Sequence, residues 1–269
     1  MTRLAIVIVS YNARRDLEAC LGSLRRHPPA VDHEIVVVDN HSTDGSADAA
    51  RAADVRVIEM GHNAGFSAAN NAGIRATSGE LILLLNSDTI VGPAALDRLV
   101  HRLETTGAAV AGPRIVDANG RAEISFGRMI SPMNELRQKR LMRQYEAGDR
   151  ATVARIERRT RREQFTDWVT GACLLVRRAD AEAVGLLDER FFLYTEDVDF
   201  CASIRKHGGR VLFTPAAEIT HLRGRSRASA PGAANAAYER SHLAFYEKHH
   251  PLWAPLLRAY RTAAKWRRR

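Results

Sequence analysis

Four short aliphatic runs in the first third of the chain each end in polar residues that could do chemistry. Residues 4–9 lead into Ser10, Tyr11 and Asn12, and residues 34–38 into Asp39 and Asn40 before the turn-rich stretch 41–46. Residues 55–59 lead to Gly61, His62, Asn63, Ala64, Gly65 and Phe66, and the run LILLL at 81–85 ends in Asn86, Ser87 and Asp88. Any one of these clusters reads as ordinary turn and cap chemistry, because Asn, Asp and Ser satisfy loop backbone. Four in succession form a pattern, with glycines where backbone could approach a ligand closely. Asp88 is the sharpest member. A carboxylate at the mouth of a buried aliphatic strand needs a partner, since burying an unpaired charge is costly. That partner is a divalent cation, or else a neighbouring Arg or backbone N–H. One carboxylate plus substrate phosphates is a common ligand set for Mg²⁺ or Mn²⁺. The sequence has no Gly-rich Lys-Ser loop to hold phosphates, so a cation would carry that load.

A second cluster lies at residues 191–199, FFLYTEDVD, where Glu196, Asp197 and Asp199 fall in the first turn of an expected helix. Thr195 is the expected N-cap, and acids there gain from the helix dipole whatever their function. The helical wheel separates the three. Asp197 falls in the middle of the apolar stripe of Phe200, Cys201 and Ile204, while Glu196 and Asp199 lie about 100° to 160° aside. An inward carboxylate beside Phe191, Phe192 and Tyr194 is a candidate general base, since partial burial raises its pKa toward the range useful for taking a hydroxyl proton. Glu196 is the second candidate catalytic carboxylate. His221, in the stretch THLRGRS, is on its own more commonly a hydrogen-bonded structural residue than a metal ligand.

The elements that must position these residues follow from periodicity. Strand-like runs alternate with helical stretches at 14–26 (Leu17, Cys20, Leu21 and Leu24 inward), after Asp44, at 65–76 and at 93–104, leading to a short strand at 108–111. Later come a strand at 172–176, a helix at 195–207 ended by Gly208 and Gly209, and helical sequence beyond Ala233 broken by Pro251 and Pro255. Continuously apolar strands separated by helices predict an α/β fold: a mostly parallel sheet covered by helices on both faces. In such sheets ligands bind beyond the carboxyl ends of the strands, where the polar clusters fall.

The chain of 269 residues, 45% apolar, suits one α/β domain with appendages. Its three cysteines are too few and too scattered for a disulfide framework, which points to a reducing cytosolic compartment. The apolar run at the N-terminus is too short for a signal peptide, and no run approaches a membrane span. The expectation is a cytoplasmic protein, soluble or peripheral. The net charge of +9 is uneven: residues 131–165 carry ten Lys/Arg against five Asp/Glu, and residues 246–269 carry seven against one. Such patches attract phosphate-rich partners. Nucleic acid is not among those expected, because the basic insert lacks interleaved aromatics and no helix-turn-helix or RNA-recognition signature is present. The tail mixes Trp253, Leu256, Leu257, Tyr260 and Trp266 with Arg and Lys. That suits an interfacial helix at an anionic membrane, and equally a helix packed on the α/β domain.

Taken in order, VSYN (9–12), VVDNHSTDGS (37–46), NAGF (63–66), LLNSD (84–88), GAC (171–173), YTEDVDFC (194–201) and H-x-x-G-x-S (221–226) resemble a family 2 glycosyltransferase with the GT-A (Rossmann-like) fold. The closest likeness is to the rhamnosyltransferase-like bacterial branch, over residues 4–226. The resemblance implies a metal-dependent, inverting transfer of a sugar for cell-surface polysaccharide synthesis. The donor would be a nucleotide diphosphate sugar (dTDP- or UDP-, rhamnose by analogy with the branch), and the acceptor a hydroxyl of a glycan or polyprenyl-linked glycan. It implies that Asp39 reads the base and that Ser10, Tyr11 and Asn12 pack against the nucleoside. Asn40, Asn63, Gly65, Phe66, Asn71, Asn86, Ser87 and Asp88 complete the donor site. Asp88 and His221 would hold Mn²⁺ or Mg²⁺, and Asp197 would be the base with Glu196 beside it. Two positions depart from the family pattern. Asn86 stands where the metal motif often has Asp, which leaves Asp88 as the single carboxylate. Ser203 stands where the branch often has Arg, and Arg205 lies on a different side of the helix.

The implied organisation is a catalytic domain at 1–232, with a nucleotide-binding half (1–112) and an acceptor half (113–232) carrying the basic helical insert 131–165. A basic amphipathic helical tail follows at 233–269. Peripheral contact of residues 246–269 with an anionic membrane would place the chain at the cytoplasmic face of the inner membrane. The rival reading is a catalytically inactive module that binds nucleotide sugars or anionic surfaces.

Overall fold

A computed structural model describes residues 2–222 and 231–266. Residues 223–226 of the last motif and 267–269 of the tail lie outside the described residues. The first half alternates strand and helix: β1 (Leu4–Ser10), α1 (Arg14–Arg26), β2 (His33–Asp39), α2 (Ser46–Ala52), β3 (Arg56–Glu59), α3 (Phe66–Arg75) and β4 (Leu81–Asn86). Every residue of β1 is buried, as a continuous aliphatic run requires of a strand covered on both faces. Its alternate side chains feed two cores. Leu4, Ile6 and Ile8 join Leu17, Leu21 and Leu24 of α1 on one face, and Val7 and Val9 meet Ala69 and Ile74 of α3 on the other. The helix α3 comes close because residue 73 is glycine: a Cβ there would lie 2.4 Å from Val7 Cγ1.

The second half holds β5 (Thr89–Val91), α4 (Ala95–Thr106), β6 (Val110–Val116), β7 (Phe126–Gly127), α5 (Pro132–Glu146), α6 (Arg150–Thr160), β8 (Gln164–Thr166), β9 (Trp168–Val169), β10 (Cys173–Arg177), α7 (Arg178–Ala183), α8 (Glu196–Lys206), β11 (Val211–His221), α9 (Pro231–His249) and α10 (Ala254–Trp266). The large sheet runs β3-β2-β1-β4-β10-β6-β11-β5, with β8 beside β11. The first half, β1 to β4, is parallel throughout. Beyond β4 the sheet is mixed, because β10 runs antiparallel to both β4 and β6. It enters from the long insert rather than from a crossover helix, which frees its direction. β6 exceeds its sequence limits, and β11 is long and irregular. β6 runs through Gly112 and Pro113 because β11 pairs with it across both, and β11 spans 11 residues with an irregularity between Thr214 and Glu218.

The insert is helical as its composition predicts. Ser131 caps α5 by accepting from the Asn134 N–H, Asp149 caps α6 through the Thr152 N–H, and Gly148 separates the two at φ +72°. Arg114, buried in β6, pins α6 to the sheet through Glu157 at 2.7 Å and is also paired with Glu218. The tail helix α9 packs on the sheet domain: Phe245 and Tyr246 are buried in the core that also holds Phe191 and Phe200. No helix among the described residues is long and apolar enough to cross a membrane.

Candidate active site

Register brings the strand-end residues into one row. Ser10 pairs with Asp39 across β1 and β2, and Val9 with Asn86 across β1 and β4, so Asp39, Ser10 and Asn86 end adjacent strands at one level. Ser10 Oγ, Asp39 Oδ1 and Asn86 Oδ1 are buried without a hydrogen-bond partner. Each unpaired buried polar atom costs about 1–3 kcal/mol. Three in a row at the carboxyl edge of a sheet mark where a ligand's polar groups fit. The second Asp39 oxygen accepts from the Ser42 N–H at 2.9 Å, which fixes the carboxylate. Asn12 Oδ1 accepts the Thr43 N–H at 2.8 Å and the Asn12 N–H donates to Ser42 Oγ at 3.0 Å, tying the first turn to the second, with Tyr11 exposed beside them.

Other predicted donor residues shape the loops instead. Asn40 Nδ2 donates to Asn63 Oδ1 at 2.9 Å, Asn40 Oδ1 accepts the Ala64 N–H, and Asn63 Oδ1 accepts the Gly65 N–H. Gly65 sits at φ +88°, and a Cβ there would lie 2.6 Å from the Phe192 carbonyl oxygen, which accepts the Phe66 N–H at 2.7 Å. A glycine is thus required where the first half meets the acidic loop. Asn71, expected near the donor, makes its hydrogen bonds within the protein. Its amide is buried and spent on Leu187, donating to the carbonyl at 2.8 Å and accepting the N–H at 3.1 Å, with a further bond to Glu189 at 2.9 Å. It joins the two halves, and no sequence signal separates that from ligand binding.

Asp88 and His221 are 133 residues apart and meet at 3.1 Å between Oδ1 and Nε2. Pairing of β11 with β5 sets His221 opposite Thr89, and the Leu222 N–H donates to the Asp88 carbonyl at 2.8 Å. Sequence reasoning missed Glu123, whose Oε2 lies 3.5 Å from His221 Nδ1 on the far side of the ring. Burial alone would lower the His221 pKa, but the hydrogen bonds and charges of Asp88 and Glu123 overturn this and lift it to about 9. A proton thus sits where two carboxylates call for positive charge. Among the described residues no group of three or more His, Cys, Asp or Glu is placed to hold a metal. The donor set still fits a hard or borderline divalent cation that takes its remaining ligands from a diphosphate: a carboxylate, an imidazole held by a second carboxylate, and the unpaired Asn86 oxygen nearby.

The acidic turn differs from the wheel. Thr195 holds the N-cap position, yet at φ 63° it makes no side-chain cap, and its hydroxyl donates to the Tyr194 carbonyl at 2.6 Å. Asp197 is held by backbone: Oδ2 accepts the Gly171 N–H at 2.8 Å and Oδ1 the Val198 N–H at 2.8 Å. Its neighbours are not aside in solvent. Glu196 is buried with Oε2 unpartnered, and Asp199, 1% exposed, is the most buried of the three. Asp199 is bound by Lys248 at 2.8 Å and His249 at 2.6 Å from α9. A wheel drawn on one helix cannot see that α9 covers its other face. Burial raises the Asp197 pKa against the opposing backbone N–H groups. Burial, then the Asp197 charge, raises Glu196 well above the usual carboxylate range, so Glu196 keeps its proton when Asp197 ionises.

The backbone joins these parts. The Asn86 N–H donates to the Ala172 carbonyl at 2.9 Å, next to Gly171, so Asp197 hangs from the segment beside Asn86.

The sequence profile described as Glycosyl transferase family 2 matches residues 5–181. An N-acetylglucosaminyl-diphospho-decaprenol L-rhamnosyltransferase of Mycobacterium tuberculosis is 33% identical over 94% of this chain and 87% of its own length. The low-salt glycan biosynthesis hexosyltransferase Agl10 of Haloferax volcanii is 26% identical over 76% of this chain and 62% of its own. Among solved structures, the mannosyltransferase PcManGT of Pyrobaculum calidifontis, in complex with GDP-Man and Mn²⁺, superposes with a TM-score of 0.64 at 18% identity. It covers 96% of this chain and 68% of its own. At that identity the likeness speaks for the fold alone, a GT-A α/β architecture.

Proposed function

Because this chain belongs to glycosyl transferase family 2, we propose that it moves a sugar, rhamnose on the strength of the mycobacterial relative, from a dTDP- or UDP-linked donor to a hydroxyl of a polyprenyl-diphosphate-linked glycan, with inversion. The observation that carries the reading is the row of unpartnered acceptors on Ser10, Asp39 and Asn86, set beside Asp88 and His221 and facing Asp197. Asp39 Oδ1 accepts from the imide N–H of the base, and Ser10 bonds the nucleoside. Asp88 and His221 hold Mn²⁺ or Mg²⁺, which when bound neutralises the leaving diphosphate. Asp197 takes the acceptor hydroxyl proton as the oxygen forms its bond to the anomeric carbon. The carbon–oxygen bond to the diphosphate breaks on the opposite face, and the electron pair leaves with the diphosphate. Glu196, protonated, holds the charge of the pair to one.

Thermal melting with dTDP, UDP, GDP and CDP, each with Mn²⁺ or with EDTA, tests this. A ligand at about 100 times its Kd stabilises by about 2.7 kcal/mol, a rise of several degrees. Stabilisation by dTDP or UDP that EDTA abolishes is the expected result. No shift with any diphosphate would instead support a scaffold that binds through its basic insert and tail.

A further inference from the structure

The tail helix α10 buries Ala254 and part of Leu257 and turns a second apolar stripe outward. Leu252, Trp253, Leu256 and Tyr260 are all exposed, Leu252 at 89% and Tyr260 at 71%. The insert helix α5 buries no residue, and Met133, Leu136, Arg137 and Arg140, spaced i, i+3, i+4 and i+7, share one exposed face. The two helices meet at His242 of α9: Glu135 of α5 pairs with its Nε2, and Arg261 of α10 lies 2.7 Å from its Nδ1. The turn before α10 is also tied to the residues before α5, since His250 Nε2 bonds the Ile130 carbonyl oxygen at 2.7 Å.

We propose that the outward faces of α5 and α10 together form a docking surface for an anionic phospholipid bilayer. Charge carries the choice of occupant. The chain's basic excess is concentrated in the insert and the tail, to which these two helices belong, and the remaining chain is close to neutral. Aromatic and aliphatic side chains beside arginines suit the boundary between acyl chains and anionic head groups, where long basic side chains reach outward. A second copy is disfavoured, because a two-fold dimer through this face would set its own positive charges against each other.

The placement also serves the reaction, and this part rests on the function proposed above. On α9, Ser241 Oγ donates to the Leu193 carbonyl at 2.8 Å, and Tyr238 packs edge-on against Tyr194. The helix that joins the docking faces thus also holds the loop that leads to Asp197. A lipid-linked acceptor in the same bilayer would reach the base without leaving the membrane.

Co-sedimentation of the full chain with phosphatidylcholine vesicles, and with vesicles that also contain phosphatidylglycerol, tests the surface. The chain should pellet with the anionic vesicles only, and less as salt rises. Each basic side chain at such a surface contributes about 1 kcal/mol, so Arg137→Gln with Arg140→Gln should weaken partitioning about 25-fold. Leu256→Glu should weaken it at least as much. A native chain that stays in the supernatant with anionic vesicles, or variants that pellet undiminished, overturns the proposal. So does a native dimer in sedimentation equilibrium that Leu256→Glu dissociates without loss of vesicle binding. Transfer to a short-chain, water-soluble acceptor should be unchanged in these variants. If the native chain binds anionic vesicles but transfers to no acceptor, the function fails and the surface stands.

Discussion

The two sides of helix α8 carry the same residue type two positions apart and treat it in opposite ways. On one side Asp197 accepts two backbone N–H groups and meets no cation among the described residues, and Glu196 keeps an oxygen unpartnered. On the opposite side Asp199 is gripped by Lys248 and His249, and Lys248 also binds Asp188 at 2.9 Å. One side stores unfavourable electrostatics and the other spends its charge on holding α9. Burial by itself therefore separates nothing here, since all three carboxylates are largely withdrawn from water. The presence of a countercharge distinguishes a reactive acid from a structural one.

The largest test of that contrast is Asp197→Asn, which should cost about 10²–10⁴-fold in kcat and keep metal-dependent donor binding. Near-native turnover would remove Asp197 as the base. Its raised pKa has a sign on stability too. A carboxyl raised in the folded state favours folding below its unfolded pKa and loses that contribution as pH rises through the folded one. Asp197→Asn should therefore not lower the melting temperature at pH 8. In the native chain kcat/KM should fall as pH drops through a limb above the ordinary Asp value of about 3.9, and the variant should lack that limb.

Asp199→Asn should behave in the opposite way. Loss of two charge-assisted bonds costs about 2 kcal/mol, seen as a melting temperature lower by about 5 °C, with kcat near native well below the melt. Equal damage to both variants' turnover would erase the distinction between the two sides. The smallest effect is expected for Glu196→Gln. An amide replaces a carboxyl that holds its proton, so kcat should fall by less than about tenfold, within the ordinary range for a retained neutral group. A loss as large as that of Asp197→Asn would assign the base to the pair rather than to Asp197.

The strand ends were legible because a parallel sheet makes its ligand edge from local sequence. Each aliphatic run dictates a strand, and whatever follows it arrives at the carboxyl edge, as Ser10, Asp39 and Asn86 do. Asp88 and His221 could be named but not joined from spacing, because 133 residues and the whole second half intervene. Glu123 was not found at all, since it follows an ordinary polar turn and gains meaning only from the ring it faces. The bonds of Asn71 to Leu187 were not legible for the complementary reason: an Asn on the helix after a ligand loop reads alike whether it faces a nucleotide or Leu187.

The sequence by itself determined the α/β alternation, the carboxyl-edge row and the helical character of the insert. All of these follow from periodicity and local hydrogen bonding over a few residues. Only the tertiary structure decided the reversed strand β10, the partner of His221, and the burial of Asp199 beneath α9. Those depend on which surfaces meet across long chain separations, where hydrophobic burial chooses the contact and the charges must then find partners within it.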